Sequence, residues 1–161
     1  NSYIALWQIQ YLCSVKKGTK LLLLDDDQES FEIIGICSGL SDYRLAWNLN
    51  KSFAWQLAHS DHTLKIPQKK SSEPIEYAYY QHLGYEDLTD LFLIKNKQLS
   101  KPLLEDLPQL DYVLVIKNNL VLDIDELLGL LRQHQQIIAA YRYESSAFSI
   151  SEYLQFEEPY E

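Results

Sequence analysis

Two groups of side chains in this sequence have residue types that bind metal ions. His59 and His62 flank Asp61, and Asp25–Asp27 is an unbroken acidic run. A zinc site needs a full set of His, Cys or carboxylate ligands, and a calcium loop needs its glycine and terminal glutamate at fixed positions. Neither set is complete, since the sequence has no CxxC pair and no EF-hand pattern. We therefore predict no metal and no cofactor, with the histidines at a helix end and the aspartates in a solvated turn.

Catalytic nucleophiles and phosphate-binding loops have recognisable motifs, and none of these motifs occurs in the sequence. There is no GxSxG, GxGxxG or GxxxxGK[ST], and neither Cys13 nor Cys37 has a flanking catalytic signature. An enzyme stays an alternative, but no residue can be named as catalytic.

A candidate polar site lies at the predicted start of a helix. Asp42, Tyr43 and Arg44 follow the expected N-cap Ser41, and free backbone N–H groups at a helix start attract anions. Asp111, at the mouth of a buried strand, is the fourth member of this site. The simpler alternative is a cap, a packed ring and a solvent-exposed charge.

Aromatic residues supply the second candidate site, an interaction surface. The chain has 12 tyrosines, and Tyr and Trp are enriched where proteins meet their partners. The candidate surface comprises Trp55, Tyr77, Tyr79, Tyr80 and Tyr85. Strand alternation puts Tyr77 and Tyr79 on one face and Tyr80 on the other. Ordinary cross-strand packing is the alternative.

The N-terminal half is predicted to form two strands and an amphipathic helix. Apolar runs predict strands at Thr19–Leu24 and in the segment Phe31–Gly39, the second with a bulge at Gly35. The helix is predicted over Asp42–Ala58. Its apolar side repeats at helical spacing as Tyr43, Ala46, Trp47, Phe53, Ala54 and Leu57, and Leu45 and Leu49 widen it.

The C-terminal half is predicted to form a hairpin and then a strand–helix–strand unit over Asp111–Glu144. Asp123 and Glu126 have the spacing of a capping box for the helix of that unit. Further strands are predicted at Thr63–Ile66, Ile75–Tyr80, Leu88–Lys95 and Tyr112–Ile116.

These elements predict an α+β fold, a two-layer sandwich in which two helices cover one face of an antiparallel or mixed sheet of about six to seven strands. Each half carries a strand–helix–strand passage, as in ferredoxin-like folds. We interpret residues 1–16 as an N-terminal extension outside the native protein, residues 17–144 as a single α+β domain and residues 145–161 as an acidic C-terminal tail that either lies along the domain or is mobile.

Charge and cysteine content limit the classes of partner. The formal net charge is -9, from 23 acidic and 14 basic residues, which argues against nucleic acid and against anionic membranes. No segment is apolar over the length that a bilayer requires. Two cysteines make no disulfide scaffold and indicate a reduced, cytoplasmic protein.

Several segments resemble the bacterial IPExxxVDY family of the Bacteroidota. They are "FEIIGICSGLSDYRLAW", the stretch "LEDLPQLDY" and the later "IIAAYRYE". Leu110-Asp111-Tyr112 stand at the Val-Asp-Tyr of the family's name motif, and Leu104-Glu105-Asp106 replace its Ile-Pro-Glu. The resemblance covers residues 17–144, implies a small cytoplasmic protein and supplies no catalytic residues.

Aromatic wealth without a catalytic motif favours a non-enzymatic protein-interaction domain that binds an unknown protein or itself. The alternative is a regulatory module that binds a small molecule, by analogy with ferredoxin-like domains of the ACT type. An enzyme is the second alternative.

Overall fold

The computed structural model describes residues 31–85, 88–98 and 101–156, which form a six-stranded sheet with two helices on one face. The strands of the sheet are β1 (Phe31–Cys37), β2 (Ala58–Ile66), β3 (Ile75–His82), β4 (Asp90–Lys95), β7 (Tyr112–Lys117) and β8 (Ala139–Glu144), and the helices are α1 (Asp42–Phe53) and α2 (Ile124–Gln133). The short strands β5 (Lys97–Gln98) and β6 (Lys101–Pro102) pair with each other. The predicted α+β fold is confirmed. The predicted strand Thr19–Leu24, the run Asp25–Asp27 and the extension over residues 1–16 lie outside the described residues.

The sheet is antiparallel throughout, with the strand order β2-β3-β4-β7-β1-β8. The unit β7–α2–β8 therefore joins two parallel strands with β1 inserted between them. In the same way β7 separates the parallel strands β1 and β4. This interleaving is the split arrangement of ferredoxin-like folds, extended at one edge by β2 and β3. Because β1 and β7 are antiparallel, the C-terminal end of β1 lies beside the N-terminal end of β7, next to the start of α1.

Helix α1 is shorter than predicted and the strand after it is longer. Ala54 adopts a left-handed φ of 54° and ends the helix. Asn50 holds the turn, because its side chain accepts a hydrogen bond from the Leu57 amide at 2.8 Å and donates one to the Leu57 carbonyl at 2.9 Å. Ala54 and Leu57 continue the helical period in the sequence, and it is this tertiary turn that overrides the period.

Both faces of the sheet are buried, but by different kinds of structure. One face packs against α1 and α2. The other face is covered by irregular chain, namely the loop over residues 103–110 and two 3-10 turns at Ser145–Ala147 and Ser149–Tyr153. The predicted two-layer sandwich thus has a third, non-helical layer.

The domain extends beyond the predicted boundary at Glu144. Leu154 is 1% exposed, and the ring of Phe156 stacks on Phe92 with the centroids 3.8 Å apart. As far as Phe156 the predicted tail therefore lies along the domain and is part of its packing. The apolar residues in this polar segment were the signal, because they pack on the sheet.

Gly35 marks a close approach between two layers, and the bulge predicted there is wrong. The register of β1 runs through it without a break on both sides. A Cβ at this position would lie 2.5 Å from Leu110 Cδ1 and 2.9 Å from Tyr143 Cε2. The loop can therefore seat Leu110 on the sheet only because residue 35 has no side chain.

The buried side chain of Asn96 organises that loop. Asn96 is 0% exposed, and its amide donates to the carbonyls of Leu107 at 3.0 Å and Leu110 at 2.9 Å. Its Oδ1 accepts the Leu104 N–H at 2.9 Å. Because buried polar groups need partners, this one amide satisfies three backbone groups of a loop that has no ladder of its own.

We predict that Asn96→Ala lowers the free energy of unfolding by about 3 kcal/mol or more, since three backbone groups lose their buried partner. Urea denaturation followed by circular dichroism measures this. The matched control is Asn48→Ala, whose amide makes one exposed bond to the Arg44 carbonyl. A loss no larger than that of the control would contradict the assignment of Asn96 as the anchor of the loop.

His134 links the end of α2 to α1. The backbone N–H of Gln136 donates to Nδ1 at 3.1 Å, so the ring proton belongs on Nε2, which lies 2.9 Å from Ser52 Oγ. Burial lowers the pKa of this imidazole. A second proton on the ring would displace the Gln136 hydrogen bond and charge a half-buried group.

The free energy of unfolding should therefore fall as the pH drops below the ordinary histidine pKa of about 6.5, because the unfolded chain binds the proton first. The His134 contribution is fully present above that pH and is lost towards the lowered pKa of the folded state. His134→Gln removes this component. Urea unfolding of both proteins between neutral and mildly acidic pH tests it, and identical pH dependence in the two would contradict the assignment.

Candidate functional site

The predicted aromatic surface does not exist as an exposed patch, because three of its five members are buried. Tyr77 and Tyr79 are each 1% exposed, and Trp55 is 6% exposed. Tyr80 is half-buried and Tyr85 is exposed. The predicted alternation is confirmed, with Tyr77 and Tyr79 in one core and Tyr80 against the other. Sequence could not reveal the irregular layer that covers the first two.

Asp111 and Tyr112 hold the segment between β1 and α1. The Asp111 carboxylate accepts the Ser38 backbone N–H at 2.9 Å, and the Tyr112 hydroxyl donates to the Leu40 carbonyl. Residues 38–40 lead directly into α1. Asp111, the fourth member of the predicted polar site, therefore acts as a backbone clamp that sets where the helix begins.

The Tyr112 hydroxyl is suited only to donating a hydrogen bond. Burial raises the pKa of its phenol to about 12, helped by the nearby charges of Asp42 and Asp111 and by Tyr80. The phenol therefore stays protonated at neutral pH, with its proton committed to a carbonyl. Asp42 belongs to this inward cluster and is half-buried.

Cys37 lies at the same end of the sheet, and its thiol is not activated. Burial and then the Asp111 carboxylate raise its pKa, although a backbone hydrogen bond from Asp111 works against them. A nucleophilic cysteine requires the opposite shift. The thiol contacts the Gln109 carbonyl at 3.7 Å.

The two histidines of the sequence motif lie in β2, so their assignment to a helix end is wrong. His59 sets its ring edge-on to Tyr80, with the centroids 5.3 Å apart. The His62 backbone N–H donates to Ser60 Oγ. Across the described residues no three His, Cys, Asp or Glu side chains gather in a way that could hold a metal ion.

The other two residues of the predicted polar site face solvent on α1. Tyr43 is 58% exposed and Arg44 is exposed. Beside them lie Trp47, which is 60% exposed, and Lys51. Tyr43, Trp47 and Lys51 follow at four-residue intervals and so line one side of the helix. We call these four residues the outer face of α1.

Each cation of the outer face of α1 lies against an aromatic ring. Lys51 Nζ is 5.1 Å from the centroid of Trp47, and the Arg44 guanidinium is 6.0 Å from that of Tyr43. Both distances are within the range of cation–π attraction. None of the ion pairs between described residues includes Arg44 or Lys51. Their charges therefore remain available to a partner.

Sequence reasoning placed Tyr43 and Trp47 on the buried side, and that is wrong. The buried stripe of α1 is Leu45, Ala46, Leu49 and Phe53. A signal was present, because Leu45, Leu49 and Phe53 repeat every four residues opposite Tyr43, Trp47 and Lys51. Hydrophobicity alone predicts that Tyr43 and Trp47 are buried, but Tyr and Trp also occur on surfaces that bind proteins.

A groove of about 710 Å³ runs between the β2–β3 turn, residues 101–106 and residues 148–153. Three lysines and three acids line it, and Lys101 pairs with Glu105 at 2.8 Å. The hydrogen bond and charge of Lys101, with the charge of Lys69, lower the pKa of the Glu105 carboxyl. Some charges of the groove are thus paired with each other, whereas Arg44 and Lys51 on the outer face of α1 form no ion pair with a described residue.

None of the helices in the described part of the chain has the length and apolar character to span a bilayer. Comparisons with models of known families, with curated proteins and with solved structures find no match to this chain. The resemblance to the IPExxxVDY family stays a prediction carried by the residues quoted for it.

We predict that Tyr112→Phe lowers the free energy of unfolding by about 1 to 2 kcal/mol, because the Leu40 carbonyl loses its donor. Asp111→Asn should cost less, since an amide oxygen can still accept the Ser38 N–H. Urea denaturation measures both, with Tyr43→Phe as the control for loss of an exposed phenol. If Tyr112→Phe were as mild as that control, the clamp would carry no stability.

Proposed function

We propose that this chain is a protein-interaction domain that binds another protein through the outer face of α1. The carrying observation is the exposure of Tyr43 and Trp47 side by side on one helix, at 58% and 60%. Tyr, Trp and Arg are the residues that most often dominate binding energy at protein interfaces. This face combines all three with a lysine.

The helix that presents these residues is held rigidly. Leu45 and Leu49 are 0% exposed, so the inner side of α1 is fixed to the sheet. The clamp by Asp111 and Tyr112 holds its start, and Asn50 holds its end. A surface that is ordered before binding loses little conformational entropy on association, which favours affinity.

The resemblance to the IPExxxVDY family fits this proposal. Asp111 and Tyr112, which match the end of its motif, act on the backbone that leads into α1. A motif with this role preserves the position of a helix and needs no catalytic group. We propose on the same grounds that the chain belongs to that family and acts in the cytoplasm, as its cysteine content predicts.

The test is capture of partners by the immobilised full chain from a lysate of its source organism, followed by binding of the purified partner. We predict that Trp47→Ala weakens that binding by about tenfold or more, the effect of truncating a central aromatic. Tyr141→Ala is the matched control, since Tyr141 is an aromatic exposed on β8 at 46%.

Calorimetry with the purified partner gives the two dissociation constants. Equal binding by the wild type and Trp47→Ala would overturn the proposal, as would a loss that the Tyr141→Ala variant shares. Circular dichroism of each variant shows that α1 remains folded, so that a loss reports on contact alone.

A further inference from the structure

We infer that the segment recognised by the outer face of α1 is acidic and carries apolar or aromatic side chains, such as an extended or helical peptide of a partner protein. This inference rests on the proposed function and adds the chemistry of the partner. It is carried by the two cations of that face, Arg44 and Lys51, and by the way they are held.

Two cations elsewhere in the described part of the chain are neutralised by carboxylates. Arg142 donates to Glu32 at 2.9 and 3.1 Å and to Asp125 at 2.9 Å, and Lys101 pairs with Glu105 at 2.8 Å. Arg44 and Lys51 instead rest on ring faces. An aromatic face orients a cation without neutralising it, so the N–H groups keep their capacity to bind a carboxylate.

Charge balance makes this arrangement selective. The chain has 23 acidic and 14 basic residues, so most of its surface repels an acidic partner. On the outer face of α1 two cations lie beside two exposed rings, and this combination would orient an acidic segment with apolar side chains towards α1. The rings supply apolar area for the side chains between the acids.

A second copy of this chain is a poor occupant of the same face. A two-fold symmetric contact between two α1 helices sets each face against itself. With the helices antiparallel, Arg44 of one copy would approach Lys51 of the other, and like charges at an interface are costly. The face therefore favours a partner of opposite charge.

Single-stranded nucleic acid has part of the required chemistry, because bases stack on aromatic rings and phosphates bind cations. Two cations are a small footprint for a polyanion, however, and the net charge of -9 opposes it. The observations therefore favour an acidic peptide, and nucleic acid becomes an outcome of the test.

The experiment titrates the full chain into a fluorescently labelled octapeptide of alternating Glu and Phe and follows anisotropy. Three further probes are the same peptide with Glu replaced by Gln, the same peptide with Phe replaced by Ala, and an oligothymidylate of similar length. We expect the Glu–Phe peptide to bind and each peptide replacement to weaken it by about tenfold, with affinity falling as salt is raised.

Arg44→Ala combined with Lys51→Ala should weaken binding of the Glu–Phe peptide by about tenfold, because both carboxylate partners are gone. The matched control is Lys65→Ala with Lys70→Ala, which removes two exposed lysines elsewhere. An equal loss in the control, or equal affinity for the Gln peptide, would overturn the inference. Binding of oligothymidylate that depends on Arg44 and Lys51 would overturn it in favour of nucleic acid.

The two proposals fail separately. If Trp47→Ala abolishes binding of the captured partner while the Arg44 and Lys51 double variant does not, the interaction surface stands and the acidic segment is wrong. If neither variant changes binding of that partner, the outer face of α1 is not the contact surface and both proposals fall.

Discussion

The irregular layer of this fold depends on one buried amide. Asn96 supplies two donors and one acceptor to the backbone of a loop that has only a few turn hydrogen bonds of its own. The loop then seats Leu110 on the bare backbone of Gly35, a contact that any Cβ there would obstruct. Fixing Leu110 also fixes the two residues after it, Asp111 and Tyr112, at the mouth of β7. Asp111 and Tyr112 in turn bind the backbone of Ser38 and Leu40, which leads into α1, so they set the position of that helix.

Polar residues around the start of α1 divide by direction into two roles. Asp111 and Tyr112 point inward and hold the backbone that leads into α1, and the nearby charge of Asp42 helps to raise the pKa of the Tyr112 phenol. Tyr43 and Arg44 point outward, are exposed, and lie beside Trp47 and Lys51 one turn later. The predicted polar site is therefore divided into two parts. Asp42 and Asp111 lie near the Tyr112 phenol, and Tyr43 and Arg44 lie on the outer face of α1. The outward half carries the proposed function because Tyr43 and Trp47 are exposed side by side there.

Strand positions and fold class could be predicted because they depend on local pattern. The local pattern predicted the hairpin, the buried strand Tyr112–Ile116 and the helix cap at Asp123. The Asp123 carboxylate forms that cap, as its spacing indicated. The length of α1 could not be predicted in this way, because the left-handed conformation of Ala54 and the hydrogen bonds between Asn50 and Leu57 depend on where the next strand must begin. Local helix propensity does not encode where β2 must begin relative to the end of α1.

The sequence by itself determined the α+β architecture, through the alternation of its strands and the period of its helices, and left open whether the sheet is antiparallel or mixed. Only the tertiary structure decided which aromatic rings meet solvent. Tyr77 and Tyr79 are covered by a loop and a C-terminal segment that have no periodic pattern, whereas Trp47 turns outward because Leu45 and Leu49 occupy the core side of α1. Exposure is a property of what packs on a residue. The cover of Tyr77 and Tyr79 comes from distant parts of the chain, so the local pattern of β3 could not have revealed it.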